Sequence, residues 1–325
     1  MRYIKFCHKQ LKSKLLFLIV LILIFILTSC ATDKPITTTR ESARDYEKLA
    51  LEHYSKGDIE NAILFFERSL KEDQKVNNLP GISSNLYNIA RCYLYYKKFD
   101  NAEKLINEAI EINKRINNPD GLGDNYSLFA SIEIRKKNYS EALKYLELSE
   151  KYYLEAKNQK GVGNVKNNRG TIYIKMGDFE KAKIEISEAI SIHKKKKNHL
   201  GLAAAYNNMG FLFEMQNNSE EALNYYKLAL KEDKYMENSL GISSDLNNIA
   251  RYYKKIGDYE SALFYYKSAL GVNRSMSLVA RVKQDLENII EVLDALGRNE
   301  EKLKYQKALE ELTSTQTQQS EEQNT

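Results

Sequence analysis

The sequence predicts an all-α solenoid, because three sets of small residues recur along it every forty positions. The first set is alanine, at Ala62, Ala102, Ala142, Ala182, Ala222 and Ala262. The second follows each alanine by seven positions, at Ser69, Ala109, Ser149, Ala189, Ala229 and Ala269. The third is glycine, at Gly81, Gly121, Gly161, Gly201 and Gly241. A fixed period of 20–50 residues is typical of a solenoid, in which each unit packs only on its neighbours. We therefore expect function to lie on an extended surface rather than in one enclosed pocket.

The first element in chain order has the features of an export signal. Its basic residues, with no acid among them, are Arg2, Lys5, Lys9, Lys12 and Lys14. Residues 15–27 then form an uninterrupted run of thirteen aliphatic or aromatic residues. This run is shorter than the about 20 apolar residues that span a bilayer, but it suits the apolar core of a signal peptide. The pattern predicts a signal peptide over residues 1–29, and an uncleaved membrane anchor is the alternative.

The end of this segment, Leu27-Thr28-Ser29-Cys30, resembles the lipobox of bacterial lipoproteins. The resemblance implies that Cys30 is diacylated and becomes the first residue of the mature chain, which holds the protein on a membrane. In the alternative, an uncleaved anchor, Cys30 is incidental. Ala31 differs from the aspartate that retains some lipoproteins in the inner membrane. We therefore expect a lipid-anchored, exported protein on the cell membrane or the outer membrane, the latter where the cell has one.

Removal of the signal peptide leaves the protein without net charge. The whole chain has 49 basic and 44 acidic residues, and five of the basic ones lie before residue 30. Nucleic-acid binding relies on a basic surface, so the sequence argues against a nucleic-acid partner. It also gives no reason to expect attraction to anionic lipid, and the predicted contact with the membrane is through the lipid on Cys30.

The two flanking segments are polar and lack a periodic pattern. Residues 30–40 combine the lipidated cysteine with a short tether, and residues 313–325 contain only Thr, Ser, Gln, Glu and Asn. Since the second segment has no apolar residue to bury, we predict a disordered tail there.

Each forty-residue unit is predicted to contain two helices. In the unit 241–280, apolar residues recur at steps of three and four up to Ile256, which is typical of one helical face. Gly257 then suits the left-handed end of a helix, and Asp258 suits the cap of the next. Lys97 and Lys137 stand where other units have this glycine, so the sequence predicts that their turns close differently.

These features together resemble the tetratricopeptide repeat. In four of the units a small residue stands three positions before an aromatic one: Ala90 and Tyr93, Gly170 and Tyr173, Gly210 and Phe213, Ala250 and Tyr253. Seven units fit residues 41–312: 41–80, 81–120, 121–160, 161–200, 201–240, 241–280 and 281–312. The resemblance implies a right-handed superhelix whose first helices line a concave, protein-binding groove. The usual period is 34 residues. We expect the six extra residues to lengthen the second helices to near Asn78, Asn118 and Asn198, as in the longer-repeat subgroup.

One position on the first helices repeats a residue that is unfavourable inside a helix. The five residues are Asn88, Asn168, Asn208, Asn248 and Asn288. Asparagine costs roughly 0.5 kcal/mol or more against alanine in a helix, so five recurrences need an explanation. One hypothesis is an amide ladder that binds the backbone of an extended peptide in the groove. The other is a set of structural hydrogen bonds between neighbouring helices, and both can hold at different units.

Arg91 and Arg251 complete the candidate peptide-binding residues. They lie 160 positions apart in the two most similar stretches of the chain, which begin at Lys71 and Lys231. Each is a candidate to bind a carboxylate or a peptide carbonyl. The sequence does not reproduce the full clamp with which some members of the family hold a C-terminal carboxylate.

No cofactor, metal or catalytic group is expected. His193 and His199 have no carboxylate or cysteine at ligand spacing, and Cys92 occupies a position that is apolar in the other units. The sequence therefore predicts a scaffold or adaptor of the cell envelope, not an enzyme, that binds a protein or extended peptide of unknown identity. The alternative is a receptor for a short soluble peptide.

Overall fold

A computed structural model describes residues 36–322 of the 325-residue chain, and in them we number fourteen α-helices. They are α1 (Ile36–Ser55), α2 (Ile59–Lys75), α3 (Leu79–Tyr95), α4 (Phe99–Arg115), α5 (Pro119–Arg135), α6 (Tyr139–Glu155), α7 (Gln159–Met176), α8 (Phe179–Lys195), α9 (His199–Met215), α10 (Ser219–Tyr235), α11 (Ser239–Lys255), α12 (Tyr259–Ser275), α13 (Val279–Ala295) and α14 (Asn299–Glu322). They form seven consecutive pairs, and the described residues contain no strand. The fold is an all-α repeat solenoid, as predicted. The signal peptide and Cys30 lie outside the described residues.

The extra length of the forty-residue unit is not confined to its second helix. In the second unit, both α3 and α4 have 17 residues, and a three-residue turn follows each. The expectation that only the second helices are long is therefore wrong. They end at Lys75, Arg115 and Lys195, and Asn78, Asn118 and Asn198 cap the following helices instead. Asparagine favours this place because its side chain can accept an N–H of the next helix.

The turns close in the same way whether or not they contain glycine. Gly177 has a φ of 81°, and Lys97 and Lys137 have φ values of 57° and 65°. The prediction that these two turns differ is therefore wrong. A non-glycine residue in the left-handed conformation costs about 1–2 kcal/mol, but the backbone hydrogen bonds of the turn are kept. For example, the N–H of Lys98 donates to the carbonyl of Tyr93 at 3.0 Å.

Both ends of the solenoid are more helical than the sequence predicted. Helix α1 begins at Ile36, inside the segment 30–40 that was assigned to a tether, and α14 continues to Glu322. Most of the segment 313–325, which was predicted to be disordered, is therefore helical. The reason is that extending a formed helix adds one hydrogen bond for each residue fixed. No apolar burial is required for that extension.

The recurring small residues lie where helices approach closely. Ala62, Ala102, Ala142, Ala182 and Ala262 are 0% exposed, and Ala222 is 2% exposed. The core between units combines three helices at a time; one cluster joins Ile174 of α7, Ile186 of α8 and Leu212 of α9. Each such fully buried side chain contributes roughly 1.5–3 kcal/mol. Cys92 is also 0% exposed, and burial raises the pKa of its thiol to about 12. It is a core residue, as predicted.

The row of units curves so that the first helices lie on its inner side. The first helices of neighbouring units contact one another, as α3 does α5, α5 does α7 and α7 does α9. The curvature brings the two ends of the solenoid together. Leu278, which precedes α13, lies so close to Gly57, after α1, that a Cβ added to this glycine would be 2.1 Å from the leucine Cδ2.

A line of buried polar pairs also crosses the unit interfaces, and it was not predicted from the sequence. Each pair joins the end of a second helix to the next first helix, twelve residues further on. Asn85 donates to Asp73 at 3.0 Å, and Asn273 donates to Asp285 at 2.6 Å. The α10–α11 interface instead pairs two carboxyl groups, those of Asp233 and Asp245. Burial raises the pKa of both.

Candidate functional site

The predicted residues all lie on first helices, and several meet in one cleft of the inner face. Asn88 is on α3, Asn168 on α7, Asn208 on α9, Asn248 on α11 and Asn288 on α13. Helices α11 and α13 form a cleft of about 420 Å³ that contains Asn248, Arg251 and Asn288 together. Arg281 and Gln284 of α13 also line this cleft. The structure therefore brings three of the seven candidates to one place.

The asparagine ladder contributes hydrogen bonds between neighbouring first helices. The amide of Asn208 donates to Asn167 of the preceding unit at 2.9 Å, and Asn248 donates likewise to Asn207 at 3.1 Å. Asn207 in turn donates to Asp245 at 2.5 Å. These contacts agree with the structural hypothesis at two of the five positions. Both residues remain half-buried, so the ladder is at least partly structural and still lines the groove.

The other members of the ladder differ in burial. Asn88 is only 6% exposed, and its side-chain oxygen accepts a hydrogen bond from Arg91 at 3.1 Å. Asn168 and Asn288 are half-buried on the inner side of α7 and α13.

The charge of Arg251 is balanced within the protein. Its guanidinium donates to both carboxylate oxygens of Glu214, at 3.1 and 2.8 Å, and the hydroxyl of Tyr226 donates to the same carboxylate at 2.6 Å. Burial disfavours the charged form of Glu214, but the hydrogen bonds from Arg251 and Tyr226 outweigh it, so its pKa is lowered. Bidentate pairs of this kind are among the stronger charge-assisted contacts. Arg251 is therefore already paired with Glu214 within the protein.

Arg91 has aromatic neighbours instead. Its guanidinium carbon lies 4.5 Å from the ring centroid of Tyr54 and 5.6 Å from that of Tyr87. The three side chains line a cleft of about 220 Å³ together with Tyr95 and Arg135. Burial raises the pKa of Tyr87 to about 12, so its hydroxyl stays neutral.

A second cleft adjoins this one through Tyr87. It has a volume of about 290 Å³ and is lined by Asn88, Asp124 and Asn125 among others. Asn125 is 1% exposed, and neither its amide nitrogen nor its amide oxygen has a hydrogen-bond partner. The hydroxyl of Tyr153 donates to Asp124 at 2.6 Å.

Sequence reasoning missed the residues that distinguish the two arginines. Tyr54 precedes Arg91 by 37 positions, and Glu214 precedes Arg251 by the same number. The forty-residue register contains this signal, since the two partners share one position of the repeat. It becomes informative only once neighbouring first helices are known to be in contact.

Between Ile36 and Glu322, no helix has the length and apolar character needed to cross a bilayer. In the same range, no three His, Cys, Asp or Glu side chains are grouped as metal ligands.

The chain also resembles known repeat proteins. Two family models described as tetratricopeptide repeat match it, one over residues 81–155 and 161–234 and the other over 45–76 and 246–276. None of the curated proteins compared with the chain matches it.

Several solved structures share the fold at low sequence identity. A Rap protein complexed with Competence and Sporulation Factor has a TM-score of 0.64 at 14% identity, over 86% of this chain and 76% of that one. Aspartyl phosphate phosphatase F from Bacillus subtilis has a TM-score of 0.60 at 16% identity, over 90% and 74%. BtubC from P. vanneervenii has a TM-score of 0.53 at 23% identity, over 67% and 92%. With the family matches spread over more than half of its length, the chain belongs to the tetratricopeptide-repeat family.

Proposed function

We propose that the protein is a lipid-anchored scaffold of a bacterial cell envelope, which binds an extended segment of a partner protein on its inner face. The observation that carries the proposal is the row of half-buried asparagines on the first helices α7, α9, α11 and α13. These side chains offer hydrogen-bond donors and acceptors at a regular spacing, which suits the repeating backbone of an extended peptide. A related fold has been solved with a bound factor, in the Rap complex.

The binding face can be tested by photo-crosslinking in the native membrane. Ala204 is exposed on α9 at the repeat position of Ser244, which lines the inner cleft. A photoreactive residue at Ala204 should give a discrete crosslinked protein. The same residue at Ile184, which is 59% exposed on the second helix α8, is the matched control and should not. A product of peptide mass would identify the alternative, a receptor for a short soluble peptide. Equal crosslinking from both positions would contradict binding on the inner face.

The anchor is a separate part of the proposal and rests on the sequence Leu27-Thr28-Ser29-Cys30. Cys30→Ser should abolish incorporation of labelled palmitate and leave the precursor at its full mass, since no thiol remains to accept the lipid. Cys92→Ser is the control, because Cys92 is buried in the solenoid, and its lipidation should equal that of the unchanged protein. Normal labelling and processing of Cys30→Ser would refute the lipobox interpretation.

A further inference from the structure

Charge is distributed unequally between the two edges of the solenoid. All first helices run in one direction and all second helices run back, so one edge joins the ends of the second helices to the starts of the next first helices. We call it the basic edge, and its connecting segments are residues 74–80, 114–120, 154–160, 194–200, 234–240 and 274–280. They contain eleven Lys or Arg and three Asp or Glu, and all eleven basic side chains are exposed. The opposite edge contains nine of each, in residues 54–60, 94–100, 134–140, 174–180, 214–220 and 254–260.

The scarcity of acids at the basic edge runs against a general preference of helices. Acidic side chains are favoured in the first turn of a helix, where the helix dipole is positive. Every second helix has such a residue, from Glu60 of α2 to Glu300 of α14. Among the seven first helices of residues 36–322, only α5 has one, Asp120. Helix stability therefore does not account for the charge of the basic edge.

The positive charge is concentrated in two neighbouring segments of the basic edge. Lysines lie at the start of α7 and at the end of its antiparallel partner α8: Lys157, Lys160, Lys194, Lys195, Lys196 and Lys197. All six are exposed. Exposed apolar side chains occur at both edges, such as Leu154 at the basic edge and Met176 at the opposite one, 53% and 51% exposed. It is therefore charge, and not apolar area, that distinguishes the two edges.

The N-terminal end of the solenoid lies at the basic edge. Helix α1 begins at Ile36, and its start lies beside the end of α2, because the hydroxyl of Ser69 donates to the carbonyl of Ala43 at 2.9 Å. Cys30 precedes Ile36 by six residues, which reach at most about 21 Å when extended. A helix of 17 residues such as α8 is about 25 Å long. A membrane that holds Cys30 is therefore closer to the basic edge than to the opposite one.

The curvature of the solenoid limits which part of the basic edge can meet a flat surface. Leu278 is at the basic edge and lies against Gly57, which is at the opposite edge of the first unit. The row of units therefore advances by about the length of a helix in one turn, and the basic edge of the last units is set back from that of the first. The first four units form the front part, and the six lysines belong to it.

We propose that the basic edge of the first four units docks on the anionic phospholipid surface of the membrane that holds Cys30. The six lysines contact the headgroup phosphates, and Leu154 enters the interface beside them. Each lysine near an anionic membrane adds a modest attraction, which becomes effective because the anchor already keeps the edge at the surface. The mature chain is neutral as a whole, so the attraction depends on where its charges lie. This inference rests on the anchor of the proposed function, and it adds an orientation in which the first helices point away from the membrane.

The test measures which edge is near the lipid. The full chain, purified from membranes, is reconstituted in vesicles that contain a phospholipid with a nitroxide on its headgroup. A fluorophore is attached to a cysteine at Leu154 or, as the matched control, at Met176; Cys92 is fully buried and stays unlabelled. With phosphatidylglycerol in the vesicles, the probe at 154 should be quenched several-fold more than the probe at 176. The difference should fall with phosphatidylcholine alone and in 1 M salt, where charges are screened within about 3 Å.

Two fourfold variants separate the basic edge from general charge. Replacing Lys194, Lys195, Lys196 and Lys197 by glutamine should reduce quenching at 154 to the value seen in phosphatidylcholine. The same replacement of Lys97, Lys98, Lys137 and Lys175, which are exposed on the opposite edge, removes equal charge and should leave the quenching unchanged. Circular dichroism of each variant reports on folding separately from docking.

The outcomes distinguish this inference from the anchor on which it rests. If the chain floats with vesicles but the probes at 154 and 176 are quenched equally, or the two fourfold variants behave alike, the docking edge is wrong and the anchor stands. If the chain floats only with phosphatidylglycerol, and replacing Lys194 to Lys197 abolishes this, the anchor is wrong and the docking edge stands. Flotation with neither lipid contradicts both.

Discussion

Asp245→Asn should stabilise the protein at pH 8 by on the order of 3 kcal/mol, despite removing a buried ionisable group. Asp245 is 0% exposed and Asp233, which faces it, is 2% exposed. Two carboxylates in contact cannot both be charged at low cost, so one must keep a proton.

The direction of the pH dependence follows from the raised pKa. Burial, followed by the charge of Asp233, raises the pKa of Asp245 to about 8, whereas an aspartate in an unfolded chain has a pKa of about 3.9. The folded protein therefore holds a proton that the unfolded chain has released. The stability from this group is present in full below about pH 4 and is lost as the pH rises to about 8, at up to ~1.4 kcal/mol per pH unit.

The groups around the pair do not supply a compensating positive charge. Asn207 donates to Asp245 at 2.5 Å, and Asn238 donates to Asp233 at 2.8 Å. Glu232 adds a further negative charge and raises the pKa of Asp233. An asparagine at 245 could accept from Asn207 and donate to Asp233, so it satisfies both neighbours.

The chain contains its own matched control for this substitution. At the α2–α3 interface, Asp73 accepts from Asn85 at 3.0 Å and from Asn78 at 2.7 Å, so one carboxyl faces an amide. Asn85→Asp should therefore create a pair of buried carboxyl groups in contact, like the pair that Asp245→Asn removes. Because units of a solenoid can unfold separately, hydrogen exchange of the α10, α11, α2 and α3 amides from pH 5 to 9, corrected for intrinsic exchange rates, is the measurement. If amide protection falls equally with rising pH in Asp245→Asn and in the unchanged protein, the interpretation that Asp233 and Asp245 share a proton is wrong.

The repeat fold could be predicted because it depends on the number of residues between recurring small side chains, which can be counted along the chain. Small residues such as Ala182 and Ala262 must recur wherever two helices approach closely, and a fixed period carries that requirement along the chain. The same reasoning correctly identified Cys92 as a core residue. Spacing cannot tell how forty residues divide between two helices, since the caps at Asn118 and Asn198 are also compatible with the end of a longer helix. The tether and the disordered tail were predicted from composition alone, which does not show how far a formed helix extends.

The sequence predicted which helices carry the candidate residues, but not what those residues contact. Arg91 and Arg251 look equivalent in sequence, and they become different only through Tyr54 and Glu214, each in the preceding unit. Likewise, the sequence left the role of the asparagines open, and the structure joins Asn208 to Asn167 across the unit boundary. Contacts between side chains of different units depend on how the units stack. The repeat positions along the sequence do not give this stacking.

Leu278→Asn should separate the two ends of the solenoid. Asparagine occupies the equivalent position in the five preceding units, at Asn78, Asn118, Asn158, Asn198 and Asn238. Leu278 departs from this pattern, caps α13 without a side-chain hydrogen bond, and is 9% exposed because it lies against Gly57 of the first unit. Restoring asparagine removes that apolar contact. It also supplies a cap of the kind that Asn118 gives α5, so α13 is not expected to unfold.

The separation can be measured as a distance between nitroxide labels on cysteines placed at Ser55 and Ser275, which are exposed beside the contact. The unchanged chain should give a short, narrow distribution, and Leu278→Asn should give a longer and broader one. Leu200→Asn is the control, since Leu200 is 48% exposed at another unit boundary and its loss should not change the distance. If Leu278→Asn leaves the distribution narrow, stacking of the units alone sets the curvature. If it broadens, one leucine fixes how wide the inner face opens, and the same substitution should then change the affinity of any peptide that contacts both halves of the groove.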